Sequence, residues 1–353
     1  MAFGRLVHDP AERPGGRRER QFMAKLRWGI LATGSIADQF VRDLRENDFE
    51  VTAVGSRSIE KAVAFATKHG IARSHGSYQA LAADPEVDVV YIATPHPFHA
   101  SAAELCILEG KHVLVEKSFT LTGAEARHLQ EFSRIHDVVV LEAMWTRFLP
   151  HMVRLREALA SGMIGEIRTL LATHTQDLPD DPNHRLNALE LGGGALLDLA
   201  IYPISFTFDI LGRPTEVLAS GRLKATGADA EVSTLFRYAN GASAVTVSAS
   251  DAPGSNRAEI NGTEGHVEID GVWYTPTTFR IYDSQKNLLE EFKPATMKGH
   301  GLHFEAVELE RLVAAGERSS PILPLEQSVA IMETLDDIRR QIGVVYPSEK
   351  TSV

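Results

Sequence analysis

Residues 26–37 read LRWGILATGSIA, and everything else in the first half of the chain follows the pattern they set. The apolar run 26–32 is a strand, and Ala32-Thr33-Gly34-Ser35-Ile36 is the turn that leads it into the helical pattern SIADQFVRDLREN. A turn that binds a dinucleotide has the form G-x-G-x-x-G/A, which lets backbone N–H groups approach a pyrophosphate at a helix N-terminus. Ala32 stands in the first glycine position, and Gly34 and Ala37 fill the second and third. Alone, such a match is equally compatible with an ordinary strand–helix turn. Its place at the head of a strand–helix–strand unit strengthens the nucleotide reading.

Outward from this turn the alternation continues. FEVTAVGS (49–56) is a strand, and IEKAVAFATKHG is a helix closed by Gly70. VDVVYIAT (87–94) is nearly all apolar or β-branched, as expected of a strand covered on both faces. HVLVE (112–116) and VVVLEA (138–143) repeat the theme, each preceded by a helical segment. The pattern predicts an α/β domain with a doubly wound parallel sheet. After Trp145 the character changes: short strands follow one another through Asn-Gly, Glu-Gly and Asp-Gly turns, which predicts antiparallel pairing in an α+β domain. The expected division is a leader over 1–23, a nucleotide domain over 24–145, a substrate and dimerisation domain over 146–345, and a tail over 346–353.

Composition narrows the function. At 353 residues the chain exceeds what one hydrophobic core usually serves. A formal charge of −11 repels phosphate backbones and anionic lipids, which argues against nucleic-acid and membrane partners. A single cysteine, Cys106, excludes internal disulfides and cysteine-based metal cages. Arg17-Arg18 lies in the leader without the apolar segment an export signal needs, so the expected location is cytoplasmic, with Met23 an alternative start.

The chemistry-bearing residues sit at strand ends. Where an NAD-selective site carries Asp or Glu after the second strand, this chain reads A-V-G-S-R-S, with Ser56, Arg57 and then Lys61. These donors suit a 2′-phosphate, so the expected cofactor is NADP. In ATPHPFHA (93–100), Thr94 and Pro95 fall where an open α/β sheet binds ligand. His96 and His99 lack a third ligand at matching spacing, so no metal is expected, and His99 is assigned to the cofactor side. HVLVEKSFTLT (112–122) ends its strand on Glu116-Lys117, and Lys117 is placed to hydrogen-bond a substrate hydroxyl. Asp198 and Tyr202 are four residues apart in GGGALLDLAIYP, on one helix face. A tyrosine beside a lysine is a proton shuttle because the cation stabilises the phenolate, although Tyr202 alone also fits a core position.

Taken in order, GILATGSIA, AVGSRS, ATPHPFHA, VEKSFTLT, LEAMWTRFLP, GGGALLDLAIYP and the closing helix resemble the glucose–fructose oxidoreductase / inositol dehydrogenase / rhizopine-catabolism (Gfo/Idh/MocA) family. The resemblance implies a Rossmann domain followed by a domain with a large open, mostly antiparallel sheet, which commonly serves as the face of a homodimer. It implies that Lys117 is the catalytic lysine of a Glu-Lys-Pro motif, Tyr202 the proton donor or acceptor, and Asp198 its neighbour. Tyrosine at 202 and the EAMWTRF segment look like the dihydrodiol dehydrogenase and NADP-dependent D-xylose dehydrogenase branch. On that branch Trp145, Arg147 and His174 would wall the substrate pocket. Ser118 replaces the motif's proline, which leaves open whether the Lys117–Ser118 bond is cis. The implied activity is NADP-dependent hydride transfer to or from a hydroxyl or carbonyl carbon of a sugar, cyclic polyol or dihydrodiol. The alternative is a non-catalytic NADP-binding, sugar-responsive regulator of the same fold.

Overall fold

The structure is a computed structural model that describes residues 25–347, so the expected leader lies outside the described residues. Its first sheet contains β1 (Arg27–Leu31), β2 (Glu50–Gly55), β3 (Arg73–His75), β4 (Val89–Ile92), β5 (His112–Glu116) and β6 (Val140–Ala143). All neighbours are parallel, in the order β3-β2-β1-β4-β5-β6. Helices cover both faces, which is why β4, with the sequence VVYI, is buried at every position. Strand order reverses between β1 and β4, and the crevice beyond their carboxyl ends is where such sheets bind ligands.

The second sheet has eight strands: β7 (Ile167–Thr175), β8 (Glu216–Leu223), β9 (Asp229–Arg237), β10 (Ser243–Ala249), β11 (Ala258–Gly262), β12 (Gly265–Ile269), β13 (Phe279–Asp283) and β14 (Leu288–Phe292). Every pairing is antiparallel except β7 with β10. The Asn-Gly and Glu-Gly signals near 261–265 mark the turn between β11 and β12. The segment Leu189–Leu211 is long and apolar enough to cross a bilayer by length and composition, but 72% of that window is buried inside the protein, as in a core helix.

The chain ends by returning to the first domain. Buried Asp43 accepts N–H bonds from His300, Gly301 and Leu302 at 2.8–2.9 Å, just before the helix His303–Ala315. Trp28 of β1 donates to Glu310 on that helix at 3.0 Å. The helix Leu325–Ile342 packs on both Gly123–His136 and β8, so it spans the two units. The Lys117–Ser118 peptide bond is cis.

Candidate active site

A cleft of about 1360 Å³ opens above the carboxyl ends of the first sheet and runs to the second domain. One wall is the turn Ala32–Ile36. Gly34 precedes the helix Ser35–Glu46 and no side chain caps that helix start. A Cβ added at Gly34 would meet nothing within 4 Å, so the protein's own packing does not require glycine there. Glycine instead leaves the backbone bare toward the cleft, as close approach of a pyrophosphate demands. Ala32 has φ 85, a left-handed conformation suited to glycine. The residues present therefore fit a dinucleotide, at some conformational cost at Ala32.

At the rim beyond the turn lie Ser56, Arg57 and Lys61, with no carboxylate at the end of β2. Ser58 accepts from Lys61 N–H at 3.3 Å and so fixes the start of the helix Ile59–His69. Tyr78 lines the same end, where burial raises its phenol and the Arg57 charge offsets part of that rise, a neighbour that the linear sequence did not reveal. Arg42 and Lys68 also reach this end, each paired with Asp38.

The opposite end is assembled from both domains. Lys117 Nζ donates to the Asp198 carbonyl oxygen at 2.9 Å and to its carboxylate at 3.1 Å. It also lies 5.1 Å from the centroid of the Tyr202 ring. Trp145 Nε1 donates to the Tyr202 hydroxyl at 3.2 Å. Asp198 belongs to a π-helical turn, Leu196–Ala200, which runs into the helix Ile201–Leu211 that carries Tyr202. That turn is anchored by buried Asp229, which accepts from Leu196 N–H at 2.5 Å. Gly194 allows this approach, since a Cβ there would lie 2.0 Å from Asp229 Oδ1.

Electrostatics sort the roles. Burial pushes the Asp198 carboxyl up, but Lys117 and Arg185 beside it outweigh burial and hold it well below the usual carboxylate range. Burial pulls Lys117 down, and Asp198 and Tyr202 more than restore it, so it is a cation at neutral pH. Burial raises the Tyr202 phenol and Lys117 offsets only part of that rise. Tyr202 therefore holds its proton at neutral pH, while Lys117, over the face of its ring, acts in the expected direction and favours the phenolate. His174 is pushed down to about 3 by burial and is neutral. It stacks on Tyr274 at 3.8 Å and meets Gln176 at 2.8 Å, forming an aromatic wall opposite Lys117.

Two assignments need correction. His99 does not reach the cleft: its ring nitrogens bond the carbonyls of Thr94 at 2.7 Å and Ser118 at 2.9 Å beneath the floor. His96, its neighbour, lines the cleft instead and donates from Nδ1 to Gly192 O at 3.2 Å. Arg147 is buried away from the substrate end, bonded to Ser205 O at 2.7 Å and paired with Asp209 at 3.3 Å. Trp145 and Arg147 share a 3-10 turn, whose tight winding sends the tryptophan into the cleft and the arginine behind it. Thr94, Pro95, Glu116, Lys117, Trp145 and His174 do line the cleft. Gln176, Arg185 and Tyr274 join them unforeseen. The alternation of β7 could have flagged Gln176, two residues beyond His174. Among the described residues no group of three or more His, Cys, Asp or Glu side chains is placed to hold a metal ion.

Comparison with known proteins decides the family. Residues 26–144 match the description "Oxidoreductase family, NAD-binding Rossmann fold", and residues 152–268 match the Gfo/Idh/MocA C-terminal domain. The chain belongs to the Gfo/Idh/MocA oxidoreductases. A trans-1,2-dihydrobenzene-1,2-diol dehydrogenase from Mus musculus is 36% identical over 337 residues, covering 92% of this chain and 99% of the relative. The enzyme of that name from Homo sapiens is 34% identical, with the same coverage. Among solved structures, a 3-ketoreductase from Actinomadura kijaniata, in complex with NADP and TDP-benzene, is 27% identical with a TM-score of 0.78, covering 90% of this chain and 98% of that one. A levoglucosan dehydrogenase in complex with NADH and levoglucosan is 22% identical with a TM-score of 0.81, covering 90% of this chain and 97% of that one, a likeness of fold. This Gfo/Idh/MocA member is thus an oxidoreductase with an NAD(P)-binding Rossmann domain.

Proposed function

We propose that this protein is an NADP-dependent dehydrogenase or reductase acting on a CH–OH or carbonyl carbon of a small sugar, cyclic polyol or dihydrodiol. The observation that carries the proposal is the Lys117–Asp198–Tyr202 cluster at the far end of a cleft that begins at the bare Gly34 turn. The substrate class is supported by the dihydrodiol dehydrogenase relatives and by a pocket walled by Trp145, His174 and Tyr274. Aromatic faces suit the C–H surfaces of a ring, and the polar atoms of Gln176 and Arg185 suit its hydroxyls. NADP is supported by Ser56, Arg57 and Lys61 where a carboxylate would favour NAD.

The cofactor, when bound, supplies the acceptor or donor of hydride. In reduction, Tyr202 gives its proton to the substrate oxygen, and the Lys117 ammonium stabilises the negative charge that develops there. Asp198 fixes Lys117, and Trp145 Nε1 aims the phenol. In oxidation, Tyr202 must first lose its proton to accept one from the substrate hydroxyl. One face of the second sheet exposes Leu171, Val245 and Leu218 in register, which supports a homodimer through that face.

The test is absorbance at 340 nm with NADP and then NAD over D-xylose, D-glucose, 1,5-anhydro sugars, inositols and a trans-dihydrodiol. Turnover with NADP on one class is expected. Tight NADP binding with silence across all of them would turn the reading toward a sugar-responsive regulator.

A further inference from the structure

Arg147 lies behind the cleft, yet its partners all bear on the helix that carries Tyr202. It stands two residues beyond Trp145 in the 3-10 turn Trp145–Phe148, at the junction of the two domains. Its Nη1 donates to Ser205 O at 2.7 Å and pairs with Asp209 at 3.3 Å, both on the helix Ile201–Leu211. Its Nη2 donates to Gln327 of the helix Leu325–Ile342, and Gln327 Nε2 donates in turn to Phe208 O at 3.2 Å. Arg156, on the helix Pro150–Ala160, completes the ring: it pairs with the other Asp209 oxygen and donates to Arg147 O, each at 2.8 Å. Tyr202, Ser205 and Asp209 are spaced i, i+3 and i+7, so they share one helix face. The turn therefore grips that helix twice, through Trp145 at the Tyr202 hydroxyl and through Arg147 one turn further on. Packing alone leaves slack here, because Tyr202 lines a cavity of about 10 Å³ together with Met144, Met152 and Phe206.

We infer that Arg147 is a positioning residue for proton transfer: its fork fixes the turn of Trp145 against the helix of Tyr202, and so sets where the phenol stands relative to Lys117 and the substrate oxygen. The inference rests on the reading of Tyr202 as the group that exchanges the substrate proton. Arg147 itself lies outside the cleft and moves no proton. A buried ion pair is a poor source of stability compared with apolar packing of the same volume. What a planar guanidinium supplies is direction, since its two Nη groups hold separate acceptors at fixed angles. Proton transfer needs hydrogen-bond distance between phenol and substrate oxygen, so a shift of about 1 Å in the helix is enough to slow it on the order of 10²-fold. The Gly34 turn and Arg57, at the cofactor end, lie on elements that the fork does not touch, so nucleotide binding does not depend on it.

The test is Arg147→Lys, which keeps a cation beside Asp209 but cannot span Ser205 O and Gln327 at once. Oxidation is followed at 340 nm with NADP and a trans-dihydrodiol, or with whichever member of the panel above the wild type turns over fastest. The kcat should fall about ten- to a hundredfold, while NADPH affinity, read by fluorescence, stays unchanged and shows the variant is folded. The decisive readout is a cycle with Tyr202→Phe: once the phenol hydroxyl is gone, Arg147→Lys should cost little or nothing further. A purely structural defect would cost the same factor in both backgrounds. An unchanged kcat, or equal losses with and without the hydroxyl, would overturn the inference. Should Arg147→Lys not fold, Gln327→Met cuts the fork's tie to the helix Leu325–Ile342 and goes through the same cycle, with a smaller loss expected that also vanishes without the hydroxyl. Near-wild-type turnover of Tyr202→Phe alone, or a wild type silent on every substrate, would instead overturn the reading of the site, and the inference with it.

Discussion

The two ends of the cleft are built on different principles. At the Gly34 end the surfaces offered to a ligand are bare backbone and exposed side chains such as Arg57 and Lys61. At the Tyr202 end the polar groups are already bonded to one another, and the side chains of Lys117 and Asp198 are only 14% and 13% exposed. The first end is a socket shaped by one short stretch of chain. The second is a preorganised cluster whose members come from positions 117, 145, 174, 198, 202 and 274. A ligand at the socket can be gripped more or less tightly by small changes, whereas the cluster works as a unit and fails as one.

The largest effect should come from the cluster. Tyr202→Phe removes the proton donor while keeping the ring that Lys117 packs against, so turnover should fall on the order of 10²–10⁴-fold. NADPH binding, followed by fluorescence, should stay near wild type, and near-wild-type turnover would refute the role of Tyr202. At the socket, Arg57→Ala should weaken NADP by about ten- to a hundredfold, through loss of charge-assisted bonds worth ~1.5–3 kcal/mol. The same variant should leave NAD affinity nearly unchanged; equal losses for both cofactors would remove the argument for NADP.

A third measurement compares the ends through pH. Because burial raises the Tyr202 phenol, only a small fraction is ionised at pH 7. The oxidation rate should therefore climb with alkaline pH, by up to about tenfold per unit while the phenol remains mostly protonated. Reduction, which uses the protonated form, should be flat through neutrality and fall only in the same alkaline range. A pH-independent oxidation rate between 7 and 9 would place the proton elsewhere. The smallest effect should be Ala32→Gly: relief of the left-handed alanine, less the extra freedom of the unfolded chain, should stabilise by roughly 0.5–1 kcal/mol. A thermal melt with no shift or a lower midpoint would show that the alanine is accommodated without cost.

What the sequence revealed follows the same division. The strand–turn–helix at 26–46 and the covered strands β4 and β5 are local patterns, so their places, and the cleft-lining residues at their ends, were legible. β3, three residues long, and β14, with no fully buried position, carry little pattern and were not anticipated. At the Tyr202 end, spacing could bring Asp198 and Tyr202 onto one helical segment. It could not say that the 3-10 turn aims Trp145 inward and Arg147 outward, or that His96 and not His99 borders the cleft. Tyr274 reaches the site only because a loop between β12 and β13 folds back, and no local signal announces that.

Asp43 receives three backbone N–H groups from residues 300–302, and Trp28 is fastened to Glu310. The boundary near residue 145 is therefore not a seam along which the protein can be recombined. A chimera that grafts residues 25–145 onto a foreign second domain would leave Asp43 buried and unanswered and β1 without its cover. To work, such a graft must also carry the stretch from about 300 to 315, so the smallest transferable cofactor module is discontinuous in the chain.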